Sequence, residues 1–262
     1  MIRFVYLLAV LLGGFASPVV WSQANGVGVV LLHAKGSAPD TRNMRALASA
    51  LESRGHLVSA PEMAWSRSRM YDATHDEAMS EIDRAVDALR QKGAVKIVVA
   101  GQSMGANAAL GYAATRNGAD GVIAMAPGHT PELGKTRRNA ATDVQRARDL
   151  IEFGDGKEKQ AFSDTNQGKR SAVSATAEVY LSWFDPDGPA VMPKSAAAFK
   201  KPLPLLMIVG SREPLAKGQD YIFDKAPLHP GSQFKVVDTD HNGVPGAATD
   251  EILSWLEALQ GH

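Results

Sequence analysis

Residues 94–117 read AVKIVVAGQSMGANAALGYAATRN, and this stretch decides how the chain folds. Its apolar run, residues 95–100, is rich in β-branched side chains and predicts a fully buried parallel strand. The pentapeptide GQSMG follows, and the alanine-rich run 106–115 predicts a helix. A serine on so sharp a strand-to-helix turn takes a strained backbone, and the flanking glycines leave the chain room to turn. We therefore expect Ser103 above the carboxyl ends of the strands, and the Met104 amide at a helix N-terminus that favours negative charge.

The rest of the chain alternates short apolar runs with stretches of helical periodicity. The predicted strands are 26–33, 57–60, 120–126, 203–209 and 233–237, and the predicted helices are 41–54, 76–92 and 246–259. Strands alternating with helices favour an α/β fold, in which a mostly parallel sheet is covered on both faces. Ligands of such sheets bind beyond the carboxyl ends of the strands.

Residues 127–202 interrupt this alternation, because the segment is too long for a plain crossover between strands. An amphipathic helix is predicted at 136–153, a polar loop at 154–170, and a strand or helix at 175–184. We interpret the segment as a small cap insertion over the site. Peripheral helices without a role in substrate choice are the alternative.

Residues 1–24 resemble a targeting segment. Arg3 is their only charge, the apolar run 4–12 follows it, and small and polar residues lead to Ser22-Gln23-Ala24. This pattern is typical of a signal peptide cleaved after Ala24, and the run is short for a transmembrane helix. We expect residues 25–262 to form a periplasmic or secreted α/β domain without stable membrane insertion. An uncleaved N-terminal anchor is the alternative.

Composition excludes several classes of function. The chain contains no cysteine, so disulfides, thiolate catalysis and cysteine zinc sites are excluded. Its 28 basic and 28 acidic residues balance, which argues against a nucleic-acid partner. Neither a G-x-G-x-x-G motif nor a P-loop is present. The sequence therefore predicts no metal site and no nucleotide-binding site.

Two later loops carry the residue types that a serine nucleophile needs. A serine hydroxyl reacts only when a base takes its proton, and that base needs a carboxylate to orient it. Loop 210–215 (GSREPL) follows a predicted strand and contains Glu213, and loop 238–243 (DTDHNG) follows the last strand and contains His241. The competing acids are Asp185, Asp220, Asp238 and Asp240, of which we expect Asp240 to brace the histidine loop.

Six other histidines compete with His241 for the role of base. We expect His33 to be structural and His129 to line a pocket. The remaining four are expected in turns, at the surface or at the terminus: His56, His75, His229 and His262.

Four motifs carry a resemblance to a known family: HAKG at 33–36, GQSMG at 101–105, GSREP at 210–214 and DHN at 240–242. Through these motifs, residues 26–260 resemble the α/β-hydrolase family. The resemblance implies a cofactor-free hydrolase with Ser103 as nucleophile, Glu213 as acid and His241 as base. It also implies an oxyanion hole built from the Met104 amide and one more donor. The family more often has aspartate as the acid.

A second departure from the family pattern affects the oxyanion hole. The family often has His-Gly where this chain has His33-Ala34, which leaves the second oxyanion donor open between the Ala34 and Lys35 amides. The Lys35 side chain either meets an anionic substrate group or is solvated. The sequence indicates no other substrate-binding residues.

The leading functional prediction is a carboxylesterase-like serine hydrolase that cleaves a small-molecule carboxylic ester through an acyl-enzyme. An amidase or acyltransferase could use the same three residues. A non-catalytic binding protein on the same fold is the third possibility.

Overall fold

The computed structural model describes residues 26–213 and 219–261. Across this range the chain forms eight strands: β1 (Val27–Leu32), β2 (Leu57–Ser59), β3 (Lys96–Gln102), β4 (Gly121–Met125), β5 (Gln160–Asn166), β6 (Lys169–Ala175), β7 (Leu205–Gly210) and β8 (Gln233–Val237). The α-helices of the same range are α1 (Arg42–Ser53), α2 (His75–Gln91), α3 (Met104–Thr115), α4 (Gly134–Glu152), α5 (Ala177–Phe184), α6 (Met192–Ala197), α7 (Val244–Ala247) and α8 (Thr249–Gln260).

Six strands form a parallel sheet in the order β2-β1-β3-β4-β7-β8. Alternate residues of a strand face opposite sides of a sheet, and β1 shows this clearly. Val29 and Leu31 pack with α1 and α8, whereas Val30 and Leu32 pack on the side of α2 and α3. The predicted parallel α/β sheet with helices on both faces is confirmed.

The prediction of one terminal helix over residues 246–259 is wrong in its start and its continuity. The helical region begins at Val244, and Ala248, with φ −100° and ψ 9°, separates α7 from α8. Both helices bury apolar residues against the same face of the sheet as α1.

The prediction of a polar loop at 154–170 is also wrong, because β5 and β6 form an antiparallel hairpin. The hairpin turns at Gln167 and Gly168, whose φ angles are 47° and 79°. On β5 only Phe162 and Asp164 are buried, and Phe162 stacks on Tyr180 of α5. A strand is recognised in a sequence by the alternation of apolar and polar side chains, and a buried aspartate in a polar run hides that alternation.

The 127–202 segment lies between β4 and β7 and divides into two parts. Helix α4 packs against α5 and β5, whereas α6 packs against α3. The predicted helix at 136–153 corresponds to α4, and the stretch left open at 175–184 is the helix α5. The β5–β6 hairpin forms a separate two-stranded sheet, and its buried side chains join the same hydrophobic core as one face of the main sheet.

Candidate active site

The turn between β3 and α3 has the strained geometry expected of it. Ser103 has φ 55° and ψ −112°, a conformation that a non-glycine residue rarely adopts. Its N–H donates to the Met125 carbonyl over 2.9 Å, which ties the turn to the end of β4. A Cβ atom on Gly101 would collide with the Gly105 backbone, and one on Gly105 would collide with the backbone of Leu32. Both glycines are therefore required for this turn.

Glu213 and His241 lie together at the ends of the adjacent strands β7 and β8. The His241 Nδ1 is 2.8 Å from Glu213 Oε2, and the other oxygen, Oε1, accepts from the Gly210 N–H over 2.8 Å. A carboxylate can only accept, so Nδ1 carries the proton. In a neutral ring, Nε2 is then the nitrogen with the free lone pair. The Gln102 amide donates to the His241 carbonyl over 3.2 Å and joins this loop to the serine turn.

The competing carboxylates point elsewhere. Asp240 accepts from the backbone N–H groups of its own loop, Asn242 and Gly243, and so braces that loop. Asp238 is exposed and contacts Ser211 and Arg212, while Asp185 pairs with Arg148, and Asp220 is exposed. Among the described residues, the carboxylate paired with His241 is Glu213.

The proposed oxyanion side is built from the loop after β1 and the start of α3. Strands β1 and β3 are neighbours, with Leu32 opposite Gly101, so Ala34 and Lys35 line the same cavity as Ser103. His33 supports this loop: its Nε2 accepts from the Met63 N–H over 3.1 Å. Burial lowers the pKa of His33, which keeps the ring neutral and able to accept. The structural role expected of His33 agrees with these contacts.

The other histidines differ in their burial and in their contacts. The expectation that His56 and His75 are surface or turn residues is wrong, because they are only 4% and 2% exposed. Burial lowers the pKa of His75 to about 4. His129 lies with Nε2 2.6 Å from a backbone oxygen of α5, His229 caps its own turn, and His262 is outside the described residues.

The family is identified by comparison with known proteins. The sequence model that represents the alpha/beta hydrolase family matches residues 10–253 of this chain. The chain belongs to the α/β-hydrolase family. A comparison with curated proteins found no match.

Several solved structures share the fold of this α/β hydrolase. A carboxyl esterase from Bacillus coagulans is 15% identical with a TM-score of 0.63, covering 90% of this chain and 91% of its own. A monoacylglycerol lipase from Paleococcus ferrophilus is 19% identical with a TM-score of 0.57, and the match covers 88% of this chain and 94% of the lipase. The α/β hydrolase GrgF from Penicillium sp. sh18 is 14% identical with a TM-score of 0.66, covering 91% of each chain. At these identities the similarity concerns the fold.

The expectation that the Lys35 side chain of this α/β hydrolase is solvated is wrong, because its ammonium is buried and paired with a carboxylate. Its Nζ lies 2.7 Å from Asp164 Oδ1 on β5, and the two side chains are 6% and 5% exposed. The ammonium also lies 5.3 Å from the centre of the Phe184 ring. Burial lowers the pKa of Lys35, and the Asp164 carboxylate opposes that shift. Because a buried charge is costly without a partner, this pair ties the hairpin to the loop after β1.

The tip of the hairpin reaches the histidine loop as well. The Gln167 amide donates to Asn242 Oδ1 over 3.3 Å, and Asn43 of α1 donates to the Asn242 carbonyl over 2.8 Å. The hairpin therefore spans the site from the loop after β1 to the residue that follows His241. No sequence signal pointed to Asp164, Asn166 or Gln167, which lie in the stretch predicted as a loop.

A cavity of about 400 Å³ lies beneath this span, beside Ser103. Its lining residues are Ala34, Lys35, Ser37, Thr41, Arg42, Asn43, Gln102, Ser103, Asn166, Gln167 and Asn242. A smaller cavity of about 170 Å³ adjoins it and shares Lys35 and Asn166. Within 26–213 and 219–261, no group of three or more potential metal ligands is present. The helices described there include none long and apolar enough to cross a membrane.

Proposed function

We propose that this α/β hydrolase is a serine esterase that cleaves a small carboxylic ester through an acyl-enzyme, with Ser103 as nucleophile, His241 as base and Glu213 as acid. The observation that carries the proposal is the 2.8 Å contact between Glu213 and His241 at the strand ends beside the strained serine turn. A buried carboxylate that orients a histidine is the arrangement by which a serine hydroxyl is activated.

The proposed reaction proceeds in two halves. His241 Nε2 takes the Ser103 proton as the serine oxygen forms a bond to the ester carbonyl carbon, and the carbonyl oxygen becomes negative. The Met104 amide, with the Ala34 or Lys35 amide, would donate to that oxygen. The carbon–oxygen bond to the alcohol then breaks, and the alcohol leaves with the proton from His241. Water repeats the sequence on the acyl-enzyme and releases the acid.

A serine-directed fluorophosphonate tests this proposal. The wild-type protein should form a covalent phosphonyl adduct on Ser103, located by mass spectrometry of the peptides. It should also hydrolyse 4-nitrophenyl acetate and leave the matched anilide, 4-nitroacetanilide, uncleaved. Measurable turnover of the anilide would favour the amidase, whereas neither labelling nor turnover would favour the binding protein.

We propose also that the protein is exported, since residues 1–24 have the pattern of a signal peptide, and that the 127–202 segment acts as a cap. Residues 1–25 lie outside the described residues. Protein recovered from the periplasm of its host should begin at Asn25, as measured by intact-mass spectrometry. A retained Met1 in the membrane fraction would contradict cleavage and support an anchor.

A further inference from the structure

The cavity beside Ser103 is lined almost entirely by polar residues. Of its eleven described lining residues, Ala34 alone has an apolar side chain, and none carries a carboxylate. The amides of Asn43 and Gln167 are held in place by their bonds to Asn242. Polar groups removed from water without new hydrogen bonds cost free energy. A hydrophilic ligand could form hydrogen bonds with these polar side chains, which a hydrocarbon chain could not.

The cavity also carries one uncompensated positive charge. Its two cationic lining residues are Lys35 and Arg42. Lys35 is neutralised by Asp164, as described above. Arg42, the first residue of α1, is exposed, and no described residue forms an ion pair or side-chain hydrogen bond with it. A guanidinium free of partners presents a planar set of donors that matches a carboxylate.

The adjoining apolar space does not offer an easy route for a long acyl chain. The smaller cavity is lined in part by Trp65, Met70 and Tyr71, but Lys35 and Asn166 are shared between the two cavities. A chain that displaced the Lys35 side chain on its way into that space would separate the buried ion pair with Asp164. Separating such a pair leaves an uncompensated charge, which is strongly unfavourable.

We infer that the substrate is a short, hydrophilic ester whose end remote from the scissile bond carries an anionic oxygen group, and that Arg42 is the specificity-determining cation. The inference rests on the proposed function and names the class of substrate for that same site. The cavity volume is at the lower end for small-molecule sites, which suits a short substrate.

Two esters of equal chain length test the inference: the mono-4-nitrophenyl ester of adipic acid and 4-nitrophenyl hexanoate. They differ at the far end, where one has a carboxylate and the other a methyl group. The wild-type kcat/KM should favour the adipate ester by about fivefold, the upper end of what an exposed ion pair supplies. The preference should reside in KM and should decline as the salt concentration is raised to about 1 M, where the Debye length is about 3 Å.

The variant R42Q should abolish this preference: the ratio of kcat/KM for the adipate ester to kcat/KM for the hexanoate ester should fall to about one. The ratio isolates the charge of Arg42 from any change that affects the turnover of both esters. R45Q is the matched control, because Arg45 is an exposed arginine one turn along the same helix that does not line the cavity. R45Q should retain the preference.

The possible results separate the inference from the proposed function. Equal turnover of both esters by wild type, or a preference that survives in R42Q, overturns the anionic substrate while the esterase stands. Loss of the preference in R45Q as well as R42Q would also overturn it, since the general charge of the helix would then be responsible. No turnover or phosphonate labelling in the wild type contradicts the esterase itself.

Discussion

Replacing Ser103 with alanine should abolish ester turnover and leave the fold intact. The serine oxygen forms the covalent bond in the proposed reaction, and no other group can take that part. Loss of a serine nucleophile typically lowers kcat by about 10⁶. Steady-state hydrolysis of 4-nitrophenyl acetate by S103A, alongside its circular dichroism and thermal unfolding, measures both parts of the expectation.

The control for S103A is a second serine at the same cavity. Ser37 lines the cavity without a place in the proposed reaction, so S37A should retain most of the wild-type kcat. If S103A retained a tenth of the wild-type rate while folding normally, Ser103 would not be the nucleophile. An equal loss in S37A would indicate damage to the cavity rather than to the chemistry.

Replacing Glu213 with glutamine should keep the fold and substrate binding but lower kcat by about 10²–10⁴, by analogy with other triads. The carboxylate accepts the Nδ1–H of His241 and would stabilise the imidazolium that forms when the ring takes the Ser103 proton. A glutamine amide can present a donor to Nδ1 instead, which would place the proton on the wrong nitrogen. kcat and KM measured separately should show the loss in kcat.

Two aspartates serve as matched controls for E213Q. Asp240 accepts hydrogen bonds from its own loop, and Asp220 is exposed, so D240N and D220N should cost far less in kcat. If D240N or D220N showed the large loss in kcat and E213Q retained nearly the wild-type kcat, the acid would be misassigned. The nucleophile and the family would be unaffected by that result.

The core of the fold could be predicted because its signals are local. The buried strand, the GQSMG turn and the following helix are contiguous, and the predicted bounds of β8, residues 233–237, agree with the structure at both ends. The contact between Glu213 and His241 could also be anticipated, since both follow strands of one parallel sheet. That reasoning placed the two residues close together but said nothing of the Gly210 amide, which holds the carboxylate.

The sequence-based predictions are wrong where a residue is buried by an element that is distant along the chain. His75 has the sequence context of a helix start, yet its ring lies 4.9 Å from that of Trp183, brought there by α5. The β5–β6 hairpin was predicted as a loop because its buried positions include Asp164. In both cases the residue type is polar, and only the packing of another element makes the buried position tolerable.

The sequence by itself determined that this chain is an α/β hydrolase with a serine on a strained turn and a histidine and a carboxylate on later loops. Strand periodicity and glycine placement are properties of short stretches, and the order of the motifs is read directly along the chain. Only the tertiary structure decided the partner of Lys35 and the polar lining of the cavity. Lys35 and Asp164 are 129 residues apart, and no local pattern records such a contact. A buried ammonium needs a carboxylate, and the folded chain supplies it from the hairpin.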